Sequence, residues 1–294
     1  MSALMTELQQ RLSRRMQINI GLGLILLFAT LTRFINLGRP NELVFDEVYY
    51  VDGARDYLQS GVELDKGAPE FVVHPPVGKW AIALGIKAFG DNSFGWRFTA
   101  ALVGVLSVAL VYLIADRLFN SAFLSLSAAA LISLDGLHLV MSRTALLDIF
   151  LSFFLLLSFY LLITQRYWLM GITMGLALGT KWSALYVLAA LGIYLLISRR
   201  KVIATILQCG VIPLTIYVFS WSGWFLSDKG WKRDYSSNFF LSWFEYHREM
   251  LNFHTGLTTE HSYEASAWNW LVLGRPTSLD RKSTRLNSSH VSES

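Results

Sequence analysis

Seven apolar stretches run through this chain, most of them about the 17 to 21 residues that a helix needs to cross the hydrocarbon core of a bilayer. They lie at roughly residues 17–35, 97–115, 120–138, 144–163, 168–181, 183–198 and 202–221, the fifth and sixth being short enough to tilt or to be partly re-entrant. Composition agrees: 53% of the 294 residues are hydrophobic and only 16% charged, with a mean hydropathy of +0.42, too apolar for a soluble domain of this length. The expectation is an all-α polytopic membrane protein. Its net charge of +4 does not point to nucleic acid, because the basic residues sit between apolar runs rather than along one stripe. The single cysteine, Cys209, lies inside a predicted span and excludes an intrachain disulfide. No internal repeat is visible.

The positive charges orient the spans. Arg11, Arg14 and Arg15 precede the first, Arg117 follows the second, Arg166 the fourth, and Arg199-Arg200-Lys201 the sixth, all on one side. With that side cytoplasmic, residues 1–16 are a cytoplasmic lead-in to an uncleaved span, since no small-residue cleavage site follows the first apolar run. The transmembrane domain is then 17–221, with an outer loop at 36–96, and a second outer loop covers 222–279. Asp46, Glu47, His74, Lys79, Arg97, Asp135, His138, Arg143, Asp148 and Lys181 all fall on the outer side. Ionisable groups at helix ends are costly unless paired or facing water, so their clustering predicts an aqueous site at the outer leaflet.

In the first outer loop, Val48 to Leu58 sets Tyr49, Tyr50, Tyr57 and Leu58 against Asp52, Arg55 and Asp56, the pattern of an interfacial helix. Pro75-Pro76 predicts the start of a second short helix, Val77 to Phe89. Residues 280–294 abandon hydrophobic patterning and resemble a translated sequencing adapter. They are set aside as an artefact, with the natural protein expected to continue past Leu279.

Each charged candidate has two readings. Asp46 of Phe45-Asp46-Glu47 suits a general base and equally a helix N-cap. Lys79, in His74-Pro75-Pro76-Val77-Gly78-Lys79, suits a phosphate contact or snorkelling to lipid headgroups. Arg97, after Trp96, suits bidentate phosphate binding or an aromatic-belt anchor. Arg143 and Asp148 suit a cavity lining or a structural buttress, and Lys181 shares that ambiguity. His247, His254 and His261 recur every seven residues, but Thr255-Gly256 interrupts the helix that would align them and no carboxylate or cysteine completes a ligand set, so no metal site is expected. Trp268-Asn269-Trp270, late in the second loop, suits stacking on sugar or peptide.

Taken together, Phe45-Asp46-Glu47, the His74–Lys79 hexapeptide, Gly95-Trp96-Arg97, Arg143 through Asp148 and the segment Tyr246 to Leu257 resemble the dolichyl- or polyprenyl-phosphate-mannose protein mannosyltransferases. Trp268-Asn269-Trp270 and Gly274-Arg275-Pro276 fit the actinobacterial branch. The resemblance implies a GT-C membrane fold that transfers mannose, with inversion, from polyprenyl-phosphate-mannose to Ser or Thr of exported proteins. It implies Asp46 as the base and Glu47 as a positioning group. Arg97 and Lys79 would hold the donor phosphate, and His74, Arg143, Asp148, Lys181, His247 and His254 would line the substrate cavity. No cofactor is implied beyond the lipid-linked donor, which is a substrate. The implied partners are that donor, exported acceptor proteins reached by way of the translocon, and membrane lipids; the implied location is the cell membrane. The chain departs from the family in lacking the expected C-terminal helices and in having Leu271 after Trp270. The alternatives are a related GT-C enzyme moving aminoarabinose or another sugar to a lipid, and a transporter. Charges at one surface rather than the midplane argue against the latter.

Overall fold

The computed structural model describes residues 2–256 and 267–270. The expectations for His261, Gly274-Arg275-Pro276 and residues 280–294 lie outside the described residues. Helix dominates, as the apolar runs predict. Three helical segments are long and apolar enough to cross a membrane: Arg15–Phe34 within α1 (Ser2–Phe34), α4 (Ser93–Phe119), and the run Val202–Ser220. The four remaining expected spans are shorter apolar helices: α5 (Ala122–Leu134), α7 (Leu147–Ile163), α8 (Tyr167–Leu178) and α9 (Ala184–Arg199).

Side-chain caps decide where several elements begin. The Asn92 side chain accepts from the backbone N–H groups of Phe94 and Gly95, so α4 starts four residues before the expected boundary. The expected span 120–138 is broken at Asp135. That residue is extended, and its carboxylate accepts from the His138 N–H at 2.7 Å, opening a separate helix α6 (Gly136–Met141). The Val202–Ser220 run contains α10 (Val202–Ile206), a π-helical turn at Leu207–Val211, and α11 (Ile212–Ser220). The buried Gln208 of that turn accepts from Arg199, whose guanidinium lies 3.9 Å from the Tyr167 ring centre.

Between apolar helices no hydrophobic force acts in lipid, so close approach and hydroxyl bonds must hold them. Gly171 and Gly175 of α8 form a GxxxG pair against the π turn and α11. A Cβ on the first would strike the Gln208 carbonyl, and one on the second the Ile216 side chain. The hydroxyls of Ser158 and Thr173 meet at 2.7 Å between α7 and α8.

Both polar intervals fold at the same end of the bundle. The first carries α2 (Glu47–Gln59), a two-stranded hairpin of β1 (Leu64–Asp65) and β2 (Ala68–Pro69), and α3 (Val77–Phe89). The second carries α12 (Ser222–Leu226) and α13 (Phe239–Gly256), and α14 (Ala267–Trp270) follows. Tyr50, Val51, Ile82 and Trp96 pack with Leu146, Leu147 and Phe150, fixing α2 and α3 on α4 and α7. Val62, Tyr217, Trp221, Trp224, Tyr246 and Met250 join the two polar intervals. There the Tyr246 hydroxyl donates to the Val72 carbonyl and accepts from the Val72 N–H.

Candidate active site

The sequence-predicted residues separate into two environments, and the division runs between Asp46 and Glu47. Phe45 sits at φ 52, an uncommon left-handed conformation for a bulky side chain, and α2 begins directly after it. From there Glu47 turns inward and is fully buried. Its carboxylate accepts from Arg97 Nε and Nη2, both at 2.7 Å, from Ala145 N at 2.8 Å and from Val44 N at 2.9 Å. Four bonds fill the acceptor capacity of a carboxylate.

Arg97, 1% exposed, is equally committed. Besides its two bonds to Glu47 it donates to the carbonyls of Leu37, Pro40 and Glu42. Five N–H donors meet five acceptors, so in this arrangement the guanidinium has nothing left for a phosphate. Arg97 is the centre of a buried network that folds the 37–42 loop around a bidentate ion pair.

Lys79 is buried as well. It is 3% exposed and its ammonium donates at 2.5 Å to Glu63, itself buried beside the hairpin. A cation in the first turn of a helix opposes the helix dipole, and Glu63 offsets that. Gly53 of α2 makes the space, since a Cβ there would fall 2.6 Å from Glu63 Oε2. Glu63 carries no motif signal and went unnoticed in the sequence. Arg143 donates to the carbonyls of Thr32 and Arg33 in the last turn of α1 and of Ile35 and Asn36 just beyond it, buttressing the end of that helix.

Asp46, by contrast, precedes α2 but makes no side-chain capping bond, and its carboxylate stays half-buried. The Tyr50 hydroxyl, one turn along, hydrogen-bonds it. Burial raises the Asp46 carboxyl above the ordinary carboxylate range; Lys181 opposes this, Asp148 adds to it, and Tyr50 favours the charged form. Lys181 and Asp148 pair at 2.9 Å while remaining 29% and 42% exposed. Asp148 lies in the first turn of α7, where the helix N-terminus favours a negative charge. Lys181 lies in the short connection between α8 and α9.

Imidazoles border this open cluster. His74 packs its ring 6.1 Å from Tyr50 and 5.6 Å from His254. Burial, with Lys181 and Lys79 adding to it, lowers its pKa to about 3, so it is neutral at physiological pH. His254 Nε2 lies 2.9 Å from the Val73 carbonyl. His247 sits deeper, its Nε2 2.8 Å from the Tyr217 hydroxyl, against an apolar groove of about 520 Å³ that runs between α9 and α11. His247 and His254 do lie on one continuous helix, since α13 extends to Gly256 and Thr255-Gly256 does not break it before His254. Among the described residues no three His, Cys, Asp or Glu side chains gather as metal ligands.

Chemically, the cluster sets a carboxylate of raised proton affinity near an accessible ammonium. A sequence profile of the dolichyl-phosphate-mannose-protein mannosyltransferases matches residues 23–226. The chain is 34% identical to the polyprenol-phosphate-mannose–protein mannosyltransferase of Mycobacterium tuberculosis, over 86% of this chain and 62% of that protein. Identity to the Corynebacterium glutamicum protein of the same name is 31%, over 86% and 63%. The chain thus spans less than two thirds of the length of these relatives. Among solved structures, the S. cerevisiae protein O-mannosyltransferase Pmt1-Pmt2 complex bound to the sugar donor superposes with a TM-score of 0.62 at 20% identity, covering 72% of this chain and 35% of that one. ArnT from Cupriavidus metallidurans in the apo state gives 0.59 at 20% identity, over 86% and 47%. Both likenesses show the same GT-C membrane fold.

Proposed function

Because the chain belongs to the dolichyl-phosphate-mannose-protein mannosyltransferase family, we propose that it carries the catalytic centre of an enzyme that moves mannose from polyprenyl-phosphate-mannose to Ser or Thr of exported proteins. The observation that carries this reading is the uncapped Asp46 carboxylate facing the accessible Lys181–Asp148 pair. In the proposed step Asp46 accepts the proton of the acceptor hydroxyl as its oxygen bonds to the anomeric carbon. The bond from that carbon to the phosphate oxygen breaks, and the polyprenyl phosphate departs with the electron pair. Attack opposite the leaving group inverts the anomeric centre.

Lys181 is the cation with room to meet the departing phosphate, the role that the buried Arg97 and Lys79 leave open. The phosphate leaves as a stable anion, so the step needs no general acid. His74, neutral and beside Tyr50, offers one donor and one acceptor for sugar hydroxyls. The positive clusters support an orientation with the N-terminus in the cytoplasm and the site on the outer face of the cell membrane, where acceptors emerge from the translocon. The second polar interval would then hold the acceptor.

The test is transfer of labelled mannose from polyprenyl-phosphate-mannose to a Thr/Pro-rich peptide by the full-length protein in membranes. Asp46→Asn is expected to lower turnover by about 10²–10⁴-fold while melting like wild type. Undiminished transfer removes Asp46 from the role of base. Label entering lipid but not peptide indicates a lipid acceptor instead.

A further inference from the structure

Lys181 occupies a connection held to its flanking helices by the N–H groups of Thr180 and Lys181, which donate to the Ala177 carbonyl, and by the carbonyls of Lys181, Trp182 and Ser183, which accept from Ala184, Leu185 and Tyr186, while the Gly179 carbonyl just before it accepts from Val77 of α3. Its side-chain tie to α11 and α13 comes from the next residue. The Trp182 indole N–H donates to the Tyr217 hydroxyl of α11 at 2.8 Å, and Tyr217 meets His247 Nε2 of α13 at 2.8 Å. His247 Nδ1 lies 2.8 Å from the Trp243 carbonyl. A carbonyl takes only a donor, so Nδ1 carries the hydrogen and Nε2 accepts from Tyr217. The chain of donors therefore runs in one direction across three segments. His247 is packed 4.0 Å from Trp243 and 4.8 Å from Trp221, ring centre to ring centre, and lies nearly parallel to Trp182. Burial lowers its pKa to about 4, keeping it neutral and able to accept at physiological pH.

Two helical turns further along the same helix, His254 meets the Val73 carbonyl and packs against both His74 and Trp182. One helix thus grips both loops that border the open cluster, the Lys181 connection through His247 and the His74 segment through His254. Neither Tyr217 nor His247 reaches the Lys181–Asp148 pair itself.

Building on the proposed reaction, we propose that Tyr217 and His247 are positioning residues that set Lys181 against the phosphate of the lipid-linked donor by anchoring Trp182. Their effect is accordingly expected on donor recognition and not on the acceptor.

The experiment compares Tyr217→Phe, His247→Leu and His247→Gln in the full-length protein, with KM for polyprenyl-phosphate-mannose and for peptide measured separately and a thermal melt of each variant. Losing one anchoring hydrogen bond is expected to raise the donor KM about tenfold in Tyr217→Phe and His247→Leu, with the peptide KM and kcat within about twofold of wild type. The amide of His247→Gln can still accept from Tyr217, and it is expected to recover most of the loss seen in His247→Leu. An unchanged donor KM in Tyr217→Phe, a fall in kcat alone, or His247→Gln as impaired as His247→Leu overturns the relay. If a leucine variant melts early, the phenylalanine and glutamine variants still decide the question. Asp46→Asn, run alongside, keeps the two readings apart: full transfer in that variant breaks the assignment of the base, whereas its loss together with an unchanged donor KM in Tyr217→Phe breaks only the relay.

Discussion

Among the described residues, three of the carboxylate–cation pairs at one end of this bundle contrast because of where they sit. Glu47–Arg97 and Glu63–Lys79 are sealed in protein, while Asp148–Lys181 faces outward beside Asp46. Sealed charges depend on one another and on backbone groups; Glu47–Arg97 is fully satisfied in this way, whereas Glu63 Oε1 is left without a hydrogen-bond partner beside Lys79. The open pair is weakly held and keeps its donors accessible. Electrostatic character alone therefore does not separate the two regions; accessibility does.

The strongest challenge to this contrast is Arg97→Ala. It leaves Glu47 buried without a counter-charge and strips the 37–42 carbonyls of their donors, and it is expected to cost about 3–5 kcal/mol of stability. The readout is the thermal melt and the yield of folded protein in detergent. A variant that melts like wild type yet fails to transfer would place Arg97 on the substrate after all. Arg97→Lys should recover only part of the loss, because three donors on a flexible stem do not replace five in a planar fork.

Lys181→Gln probes the other region with the opposite expectation. Its stability should stay within about 1 kcal/mol of wild type, as befits an accessible pair. The KM for the donor should rise by roughly 10–100-fold through loss of a charge-assisted contact. A large drop in melting temperature with unchanged donor affinity would make it a third buttress.

The smallest effect is expected of Tyr50→Phe. The Tyr50 hydroxyl favours the charged form of Asp46, so its removal raises the Asp46 pKa further. A base works only when deprotonated, so the acid limb of the rate profile should move to higher pH. Well above that limb, rates should match wild type. A profile that falls uniformly at all pH values would mean that the hydroxyl does not act through Asp46.

Much of the architecture is legible in the order of residues. Apolar run length finds the apolar helices, three of them long enough to cross a membrane among the described residues, and Pro75-Pro76 sets the start of α3 where it is observed. The break at Asp135 hides inside an apolar run because one side-chain hydrogen bond, rather than any change in hydropathy, creates it. The candidate site is legible as a set of residues but not as a division of labour. Nothing in Asp46-Glu47 says which carboxylate turns inward; that depends on Arg97 and Ala145, 50 and 98 positions away. Glu63 and Tyr217 lack any local signal, one lying near a plain hairpin and the other inside a span.

The Arg143 bonds to the end of α1 carry a consequence for biogenesis. The carbonyls of Thr32 and Arg33 wait for a donor 111 and 110 positions later in the chain. At about 5–20 residues per second, roughly 5–20 s of synthesis separates them. The first helix is threaded early, but its terminus closes only after α6 has been made. Until then those two carbonyls have to be satisfied by water or the insertion machinery, which makes Arg143 a late latch in the order of membrane assembly.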